Sequence, residues 1–191
     1  MKKFSLFILF LFFNLILFAQ EKKGYKQEQM FIGSGINLGF FNGFVLGLNP
    51  EIGYSFNKFI DAGVAINFSY ITQNYSNAPV TDRYLTLGGG PYLRIWPVNM
   101  LYLGGQLEYN RISYSQKQSG TVENRVGYNA PSLLVGGGYG SRFIGQSQFY
   151  TSIMVDVLKD PKSPYIDQFN RALPVFRTVF LFYLRPKKNR N

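Results

Sequence analysis

Six charged residues interrupt segments in which apolar residues otherwise alternate with small or polar ones. These residues are Glu51, Asp61, Arg94, Glu108, Asp156 and Arg177. Two carboxylates and a water molecule can hydrolyse a glycosidic bond, but this chemistry needs an open cleft with a set separation between the acids. A buried charge needs a partner of opposite sign. Because a small barrel fills its interior with side chains, we favour an interior polar network over a catalytic carboxylate pair.

Glycine-rich stretches are the other candidate for ligand chemistry. Neither GGG run, at 88–90 or at 136–138, is followed by Lys-Ser/Thr or by a helical pattern, and GSGINLG at 33–39 lacks the dinucleotide-binding spacing. Glycine within a strand instead marks a bend, a bulge or close packing. The glycine-rich stretch 84–110 is therefore predicted to be a β-hairpin and not a phosphate-binding loop.

Two residues of that hairpin carry specific expectations. Arg94 lies on the opposite face from the neighbouring leucines, so we expect it to point inward and to pair with Glu108 or Glu51. Pro91 points outward and has no N–H for the strand ladder, so we expect a bulge at this position.

The absence of histidine and cysteine from the sequence limits the chemistry further. Histidine is the commonest general base and metal ligand, and zinc sites and Ser-His-Asp or Cys-His machinery are built on these residue types. We therefore predict that the chain is not an enzyme and that it has no cofactor or metal site.

The elements that must position the charged residues are strands, because the period along the chain is two. In 59–73, the even-numbered residues from Ile60 to Tyr70 are apolar and the odd-numbered ones are mostly polar or small, which is typical of a strand with two different faces. The same test predicts eight strands, at 29–40, 44–56, 59–73, 84–96, 101–116, 131–141, 148–158 and 174–184. Several exceed the ~5–6 residues usual in globular proteins and suit a bilayer-spanning strand of ~9–11 residues.

The predicted connections alternate in length. Short turns follow the second, fourth and sixth strands, and longer polar loops at 74–83, 117–130 and 159–173 follow the third, fifth and seventh. This layout is typical of an outer-membrane barrel. The predicted fold is all-β, an eight-stranded antiparallel up-and-down transmembrane β-barrel, with its polar face inward because a lipid-facing charge at mid-membrane costs ~2–4 kcal/mol.

Aromatic residues flank the short turns. They are Phe56, Phe59, Trp96, Tyr102, Phe143 and Phe149. Aromatic rings favour the interface between lipid and water, so we expect these residues to form an aromatic girdle on the outer wall.

The ends of the chain carry targeting and charge features. Lys2 and Lys3 precede an apolar run that ends near Ala19, the pattern of a secretory signal peptide. We predict a signal peptide at 1–19, a periplasmic segment at 20–28, the barrel at 29–184 and a basic periplasmic tail at 185–191. The formal charge is +10, but no basic helix is visible, so we expect no nucleic-acid partner.

The stretch LGGGPYLRIW…NMLYLGGQLEYN, the signal ending LFAQ and the eight-strand layout resemble the small outer-membrane β-barrel domain proteins of Bacteroidetes-type bacteria. That group is broadly similar to the OmpA/OmpX kind of barrel. The resemblance implies a location in the outer membrane of a Gram-negative bacterium and offers no catalytic residue to carry over.

The predicted function is therefore structural or interactive. The partners are outer-membrane lipid and an unknown extracellular partner at the loops 74–83, 117–130 and 159–173. Two alternatives are a narrow porin-like channel for ions or small solutes and a soluble exported lipocalin-like barrel. In a lipocalin-like barrel the two faces would be inverted, and apolar residues would line a ligand cavity.

Overall fold

The computed structural model describes residues 26–39, 43–74, 80–118, 124–166 and 169–184. The predicted signal peptide at 1–19, most of the segment 20–28 and the basic tail at 185–191 lie outside the described residues. Within the described part of the chain, no helix is long and apolar enough to cross a membrane.

Eight antiparallel strands follow one another around a closed barrel in chain order. They are β1 (Met30–Gly39), β2 (Gly43–Ser55), β3 (Ile60–Asn74), β4 (Val80–Val98), β5 (Leu101–Gln118), β6 (Asn124–Gly140), β7 (Gln148–Asp156) and β8 (Val175–Tyr183). The ladder between β1 and β8, with Phe31 opposite Tyr183, closes the ring. The predicted fold class, with eight up-and-down strands, is confirmed.

The period of two in the sequence separates an apolar outer wall from a polar interior. The strand β7 alternates strictly between buried and exposed residues over its whole length. Its exposed residues include Ile153 and Val155, whereas Ser152 and Asp156 are buried. This polarity is the reverse of a soluble barrel, which hides its apolar residues from water. The barrel is a transmembrane barrel whose outer wall suits the hydrocarbon core of a bilayer.

The two ends of the barrel differ. Short turns join β2 to β3, β4 to β5 and β6 to β7 at one end, here called the turn end, where β1 begins and β8 ends. The Asn57 side chain stabilises the first of these turns by accepting hydrogen bonds from the backbone N–H groups of Phe59 (2.7 Å) and Ile60 (3.0 Å). The opposite end, here called the loop end, carries the long 157–174 connection between β7 and β8.

Two of the predicted loops are partly strand. β4 begins at Val80 and β6 begins at Asn124, so residues 80–83 and 124–130 extend the sheet. Their pairing with β5 is continuous, with Gln116 opposite Asn124 at the far end. The sequence prediction missed these extensions because they continue beyond the part of the wall that contacts lipid. Outward-facing residues there need not be apolar, so the alternation that marks a strand is lost.

The prediction of a bulge at Pro91 was wrong. Gly89 lies opposite Tyr109 and Tyr92 lies opposite Gln106, so the register between β4 and β5 does not change across Pro91. A proline removes one ladder hydrogen bond but does not require an extra residue. The register shifts instead between Ile95 and Val98, beside the turn at this end of the hairpin.

Candidate functional site

All six charged residues of the predicted network lie inside the barrel. Glu51, Asp61, Arg94, Glu108, Asp156 and Arg177 are each at most 7% exposed. They do not form one connected cluster. Three of the four carboxylates are each paired with an arginine at a different level along the barrel axis, and the fourth, Asp156, is held by hydroxyl and backbone donors.

The level at the turn end is built on Asp61. Its carboxylate pairs with Arg142 and accepts hydrogen bonds from Ser55 Oγ (2.6 Å) and Trp96 Nε1 (2.8 Å). Arg142 also donates to the backbone carbonyls of Lys58 (3.0 Å) and Asn57 (2.7 Å). One guanidinium therefore links the β6–β7 turn to the β2–β3 turn and covers this end of the interior.

Arg142 was not among the residues predicted from sequence. It lies just after the last residue of β6, so strand parity gave no reason to place it inside. One feature of the sequence does point to it. The predicted interior has four carboxylates but only two arginines, and Arg142 stands in a short connection where it can supply a further positive charge.

The middle level is an ion pair enclosed by aromatic rings. Arg94 donates to both oxygens of Glu51, at 3.0 Å and 2.5 Å. Its guanidinium carbon lies 4.1 Å from the centre of the Tyr92 ring and 4.2 Å from that of Tyr150, within the range of cation–π attraction. The Tyr150 hydroxyl donates to Glu51 at 2.7 Å. Of the two partners expected for Arg94, the structure selects Glu51.

Glycine provides the space for this level. A Cβ atom added at Gly63 would lie 2.6 Å from the Tyr92 hydroxyl, and one added at Gly53 would lie 2.7 Å from a carbon of the Phe31 ring. Gly53 and Gly63 are directly opposite each other on β2 and β3. The large side chains of the interior therefore pack against bare backbone.

The level nearest the loop end joins the barrel wall to the 157–174 connection. Arg177 donates to Glu108 (2.8 Å) and to Gln106 (3.0 Å). The hydroxyl of Tyr165 donates to Glu108 (2.7 Å) and accepts from Asn67 (2.7 Å). Burial, reinforced by the negative charge of Glu108, raises the pKa of the Tyr165 phenol well above its ordinary value of 10.0.

Asp156 anchors the same connection at a second point. It accepts a hydrogen bond from Ser163 Oγ at 2.6 Å and from the backbone N–H groups of Leu133 (3.1 Å) and Leu158 (3.0 Å). The hydroxyls of Ser163 and Ser132 are 2.9 Å apart. Ser163 and Tyr165 were missed by the sequence analysis because a loop residue gives no parity signal for pointing into a barrel.

Two cavities lined by described interior residues are small. A cavity of about 20 Å³ is lined by both Arg94 and Arg177, and a second of about 80 Å³ is lined by Asn67, Tyr165 and Arg177. Drug-sized ligands occupy pockets of ~300–1,000 Å³. Among the described residues, no group of three His, Cys, Asp or Glu side chains is placed to hold a metal ion.

The six residues predicted for the aromatic girdle divide into two groups. Four lie exposed on the outer wall near the turn end: Phe56 (60%), Phe59 (45%), Phe143 (56%) and Phe149 (47%). Trp96 and Tyr102 are only 1% and 3% exposed and face the interior, which corrects that part of the prediction. They share the inward parity of Arg94 and Gln106, and the indole N–H of Trp96 finds in Asp61 the acceptor that a buried tryptophan needs.

These features define a transmembrane β-barrel with a filled, ion-paired interior. Comparison with solved structures finds, among others, two crystal structures of Ail, the attachment invasion locus protein of Yersinia pestis. One, in complex with the heparin analogue sucrose octasulfate, is 13% identical, with 80% of this chain and 93% of that chain covered and a TM-score of 0.44. The other is 16% identical, with 80% and 92% covered and a TM-score of 0.38.

No protein-family model matches the chain, and no curated protein matches it. The assignment to this class therefore rests on the strand order and the polarity of the chain itself.

Proposed function

We propose that this chain is an outer-membrane β-barrel protein of structural or interaction type. Its outer wall contacts lipid, and its loop end is the surface that meets other molecules outside the cell. One observation carries this proposal: Glu51, Arg94, Glu108 and Arg177 are buried and paired inside the barrel, while the outer wall at the same height is apolar. A charge on the lipid-facing side costs ~2–4 kcal/mol at mid-membrane.

We further propose that the chain is exported by a signal peptide at 1–19 and belongs with the small Bacteroidetes-type barrels. The basic residues in front of an apolar run, and the LGGGPYLRIW…NMLYLGGQLEYN pattern, support this part of the proposal. The segment 20–28 and the tail 185–191 are then periplasmic, because both ends of an even-stranded barrel lie on the side of the short turns.

The interior argues against the narrow channel. An ion crossing the barrel would meet the Asp61–Arg142, Glu51–Arg94 and Glu108–Arg177 pairs in succession. Breaking a buried pair by removing one partner costs ~3–5 kcal/mol. The polar lining also argues against a lipocalin-like cavity, which would need apolar walls.

The contact surface is best placed on two parts of the loop end. The first is the extension of β4, β5 and β6 beyond the apolar band, and the second is the 157–174 connection, which is held over the mouth by Tyr165 and Ser163. Both are fixed by hydrogen bonds, so they present a defined surface. Binding to a defined surface avoids the entropy cost of ordering a loop.

Cell fractionation combined with electrophoresis of unboiled and boiled samples tests the proposal. We expect the protein in the outer-membrane fraction and a mobility shift on boiling, since a closed barrel resists detergent until it is heated. Planar-bilayer recordings of the same preparation should show no openings above those of a protein-free detergent control. Recovery in the soluble periplasmic fraction would contradict the membrane assignment, and reproducible unitary currents would favour the channel.

A further inference from the structure

The cavity of about 80 Å³ lies between the barrel wall and the 157–174 connection. Three strands and the connection contribute side chains that can form hydrogen bonds to a molecule inside it. These side chains belong to Asn67 and Ser69 of β3, Thr86 of β4, Arg177 of β8 and Tyr165 of the connection. Polar groups therefore line this cavity both on the side of the strands and on the side of the connection.

Arg177 borders the cavity and has a donor that the barrel does not use. Its two terminal nitrogens donate to Gln106 (3.0 Å), Glu108 (2.8 Å) and Tyr165 (3.1 Å). The remaining donor, Nε–H, is buried and makes no hydrogen bond to any residue that the structure describes. A buried donor without a partner costs ~1–3 kcal/mol, and most buried polar groups are bonded either to protein or to ordered water.

Charge argues against an anion as the partner of this donor. The positive charge of Arg177 is already balanced by Glu108, at 2.8 Å. Among the described residues that line the cavity, Arg177 alone is charged. An anion would therefore enter a place without net positive charge and close to a carboxylate, so a neutral acceptor fits better.

Size points to water. The cavity is far smaller than the ~300–1,000 Å³ of pockets that hold drug-sized ligands. A water molecule needs ~10–15 Å³ of such space and 2–4 polar partners. The volume and the polar lining meet both requirements for several water molecules.

We propose that this cavity is an internal hydration site, whose ordered water molecules bind to the polar lining and accept a hydrogen bond from Nε–H of Arg177. The water bridges the connection, through Tyr165, to the strands on the opposite side. A water-mediated hydrogen bond is nearly as favourable as a direct one in enthalpy, so the water helps to hold the connection over the mouth. The inference concerns the interior alone and does not depend on where the barrel resides.

Nuclear magnetic resonance of the Arg177 side chain tests the inference. The protein is labelled with ¹⁵N and ¹³C, refolded in detergent micelles and checked for the mobility shift on boiling. Cross-relaxation between Nε–H and water is then measured in the laboratory frame and in the rotating frame. Bound water gives effects of opposite sign in the two frames, whereas chemical exchange of the proton gives the same sign in both.

We expect the signature of bound water at Nε–H of Arg177 in the wild type. The indole N–H of Trp96, which donates to Asp61 at 2.8 Å, is the internal control and should show none. Absence of the signature at Arg177 would overturn the inference. Cross-relaxation with detergent or buffer protons in place of water would overturn it as well.

Two variants with the same substitution locate the water. S69L fills the cavity, and S113L adds the same side chain at an exposed position of β5. We expect S69L to lose the water signature at Arg177 and S113L to keep it, with the mobility shift on boiling retained in both. A signature that persists in S69L would place the water outside this cavity and contradict the inference.

A third variant, T86V, provides a test that does not fill the cavity. It keeps the volume of the side chain and removes one hydroxyl from the lining, and a hydrogen bond contributes ~0.5–1.5 kcal/mol. The residence time of the bound water, measured by ¹⁷O relaxation dispersion, should therefore shorten by about 2- to 10-fold. An unchanged residence time would contradict the assignment of the water to this cavity.

Discussion

Each buried charged side chain in this barrel is stabilised by the partners that it contacts. Arg94 is buried, and its charge is balanced by Glu51 and by the faces of two tyrosine rings. The cost of removing such a group is dominated by the partner left behind, because an unpaired buried carboxylate is far less stable than one exposed to water.

Arg94→Ala should therefore destabilise the barrel by about 3–5 kcal/mol. The chain has a single tryptophan, Trp96, which lies inside the barrel, so its fluorescence reports unfolding in urea directly. The double variant E51Q/R94M removes both charges and keeps similar volumes, and it should recover much of the lost stability. An unchanged urea midpoint for Arg94→Ala would contradict the pairing described here.

Strand parity in the sequence told which charged residues face inward, but not which would pair. Arg94 lies directly opposite Asp61 in the ladder, yet it reaches Glu51 while Asp61 binds Arg142 from a turn. Which carboxylate Arg94 contacts depends on the packing of Tyr92, Tyr150 and the facing glycines. A periodic sequence pattern contains no information on this packing. The prediction also placed Trp96 and Tyr102 on the outer wall. It gave more weight to their position beside a turn than to their inward strand parity.

At the scale of elements, the 157–174 connection is part of the barrel and not a free loop. Its Ser163 and Tyr165 side chains enter the mouth and bind Asp156 and Glu108. It also has internal order, with the backbone N–H of Leu173 donating to the carbonyl of Tyr165 at 2.8 Å. The sequence predicted a long loop here, but not that it closes the mouth.

Tyr165→Phe should loosen this connection without unfolding the barrel. The variant loses a hydroxyl that contacts Glu108, Asn67 and Arg177, and hydrogen bonds to charged groups contribute about 1.5–3 kcal/mol each. We expect tryptic cleavage after Lys162 and Arg171 to be faster by about tenfold or more. Tyr109→Phe, on the outer wall, is the matched control and should cleave like the wild type.

The same connection should depend on pH in the alkaline range. The pKa of Tyr165 is raised in the folded state, so its protonated form contributes stability that is fully present below pH 10 and is lost as pH rises further. Cleavage by subtilisin, measured relative to an unstructured peptide, should accelerate above pH 10 in the wild type. In Tyr165→Phe the relative rate should lack this additional rise, and identical pH profiles would contradict the role given to the phenol.

The extensions of β4 and β6 lead to a prediction for hydrogen exchange. Their backbone groups pair with β5 up to Gln116 and Asn124, so the alternate amides of 125–130 that donate to β5 should exchange slowly, like those of the spanning strands. Amides of the exposed part of the 157–174 connection, such as that of Asn170, serve as the fast reference. Exchange of 125–130 at that reference rate would mean that the segment is a loop, as the sequence alone suggested.

The whole molecule is organised by one inversion of polarity. Large apolar residues cover the outside, including Leu93, Leu103 and Ile153, and ion pairs fill the inside. This inversion was readable from the sequence, since a two-residue period with charges on only one face fits few other folds. The strand count and the order of short turns followed from the same pattern, whereas the contents of the barrel required the structure.

A spin-label accessibility scan along β7 distinguishes a lipid-facing wall around a filled interior from any other arrangement of this strand. The sequence contains no cysteine, so single cysteines at Thr151, Ser152, Ile153, Met154 and Val155 each carry one label in a lipid bilayer. Labels at the odd positions should be accessible to dissolved oxygen and shielded from an aqueous nickel chelate. Labels at the even positions should be shielded from oxygen. Accessibility to nickel at the odd positions, or no alternation along the strand, would contradict a lipid-facing wall around a filled interior.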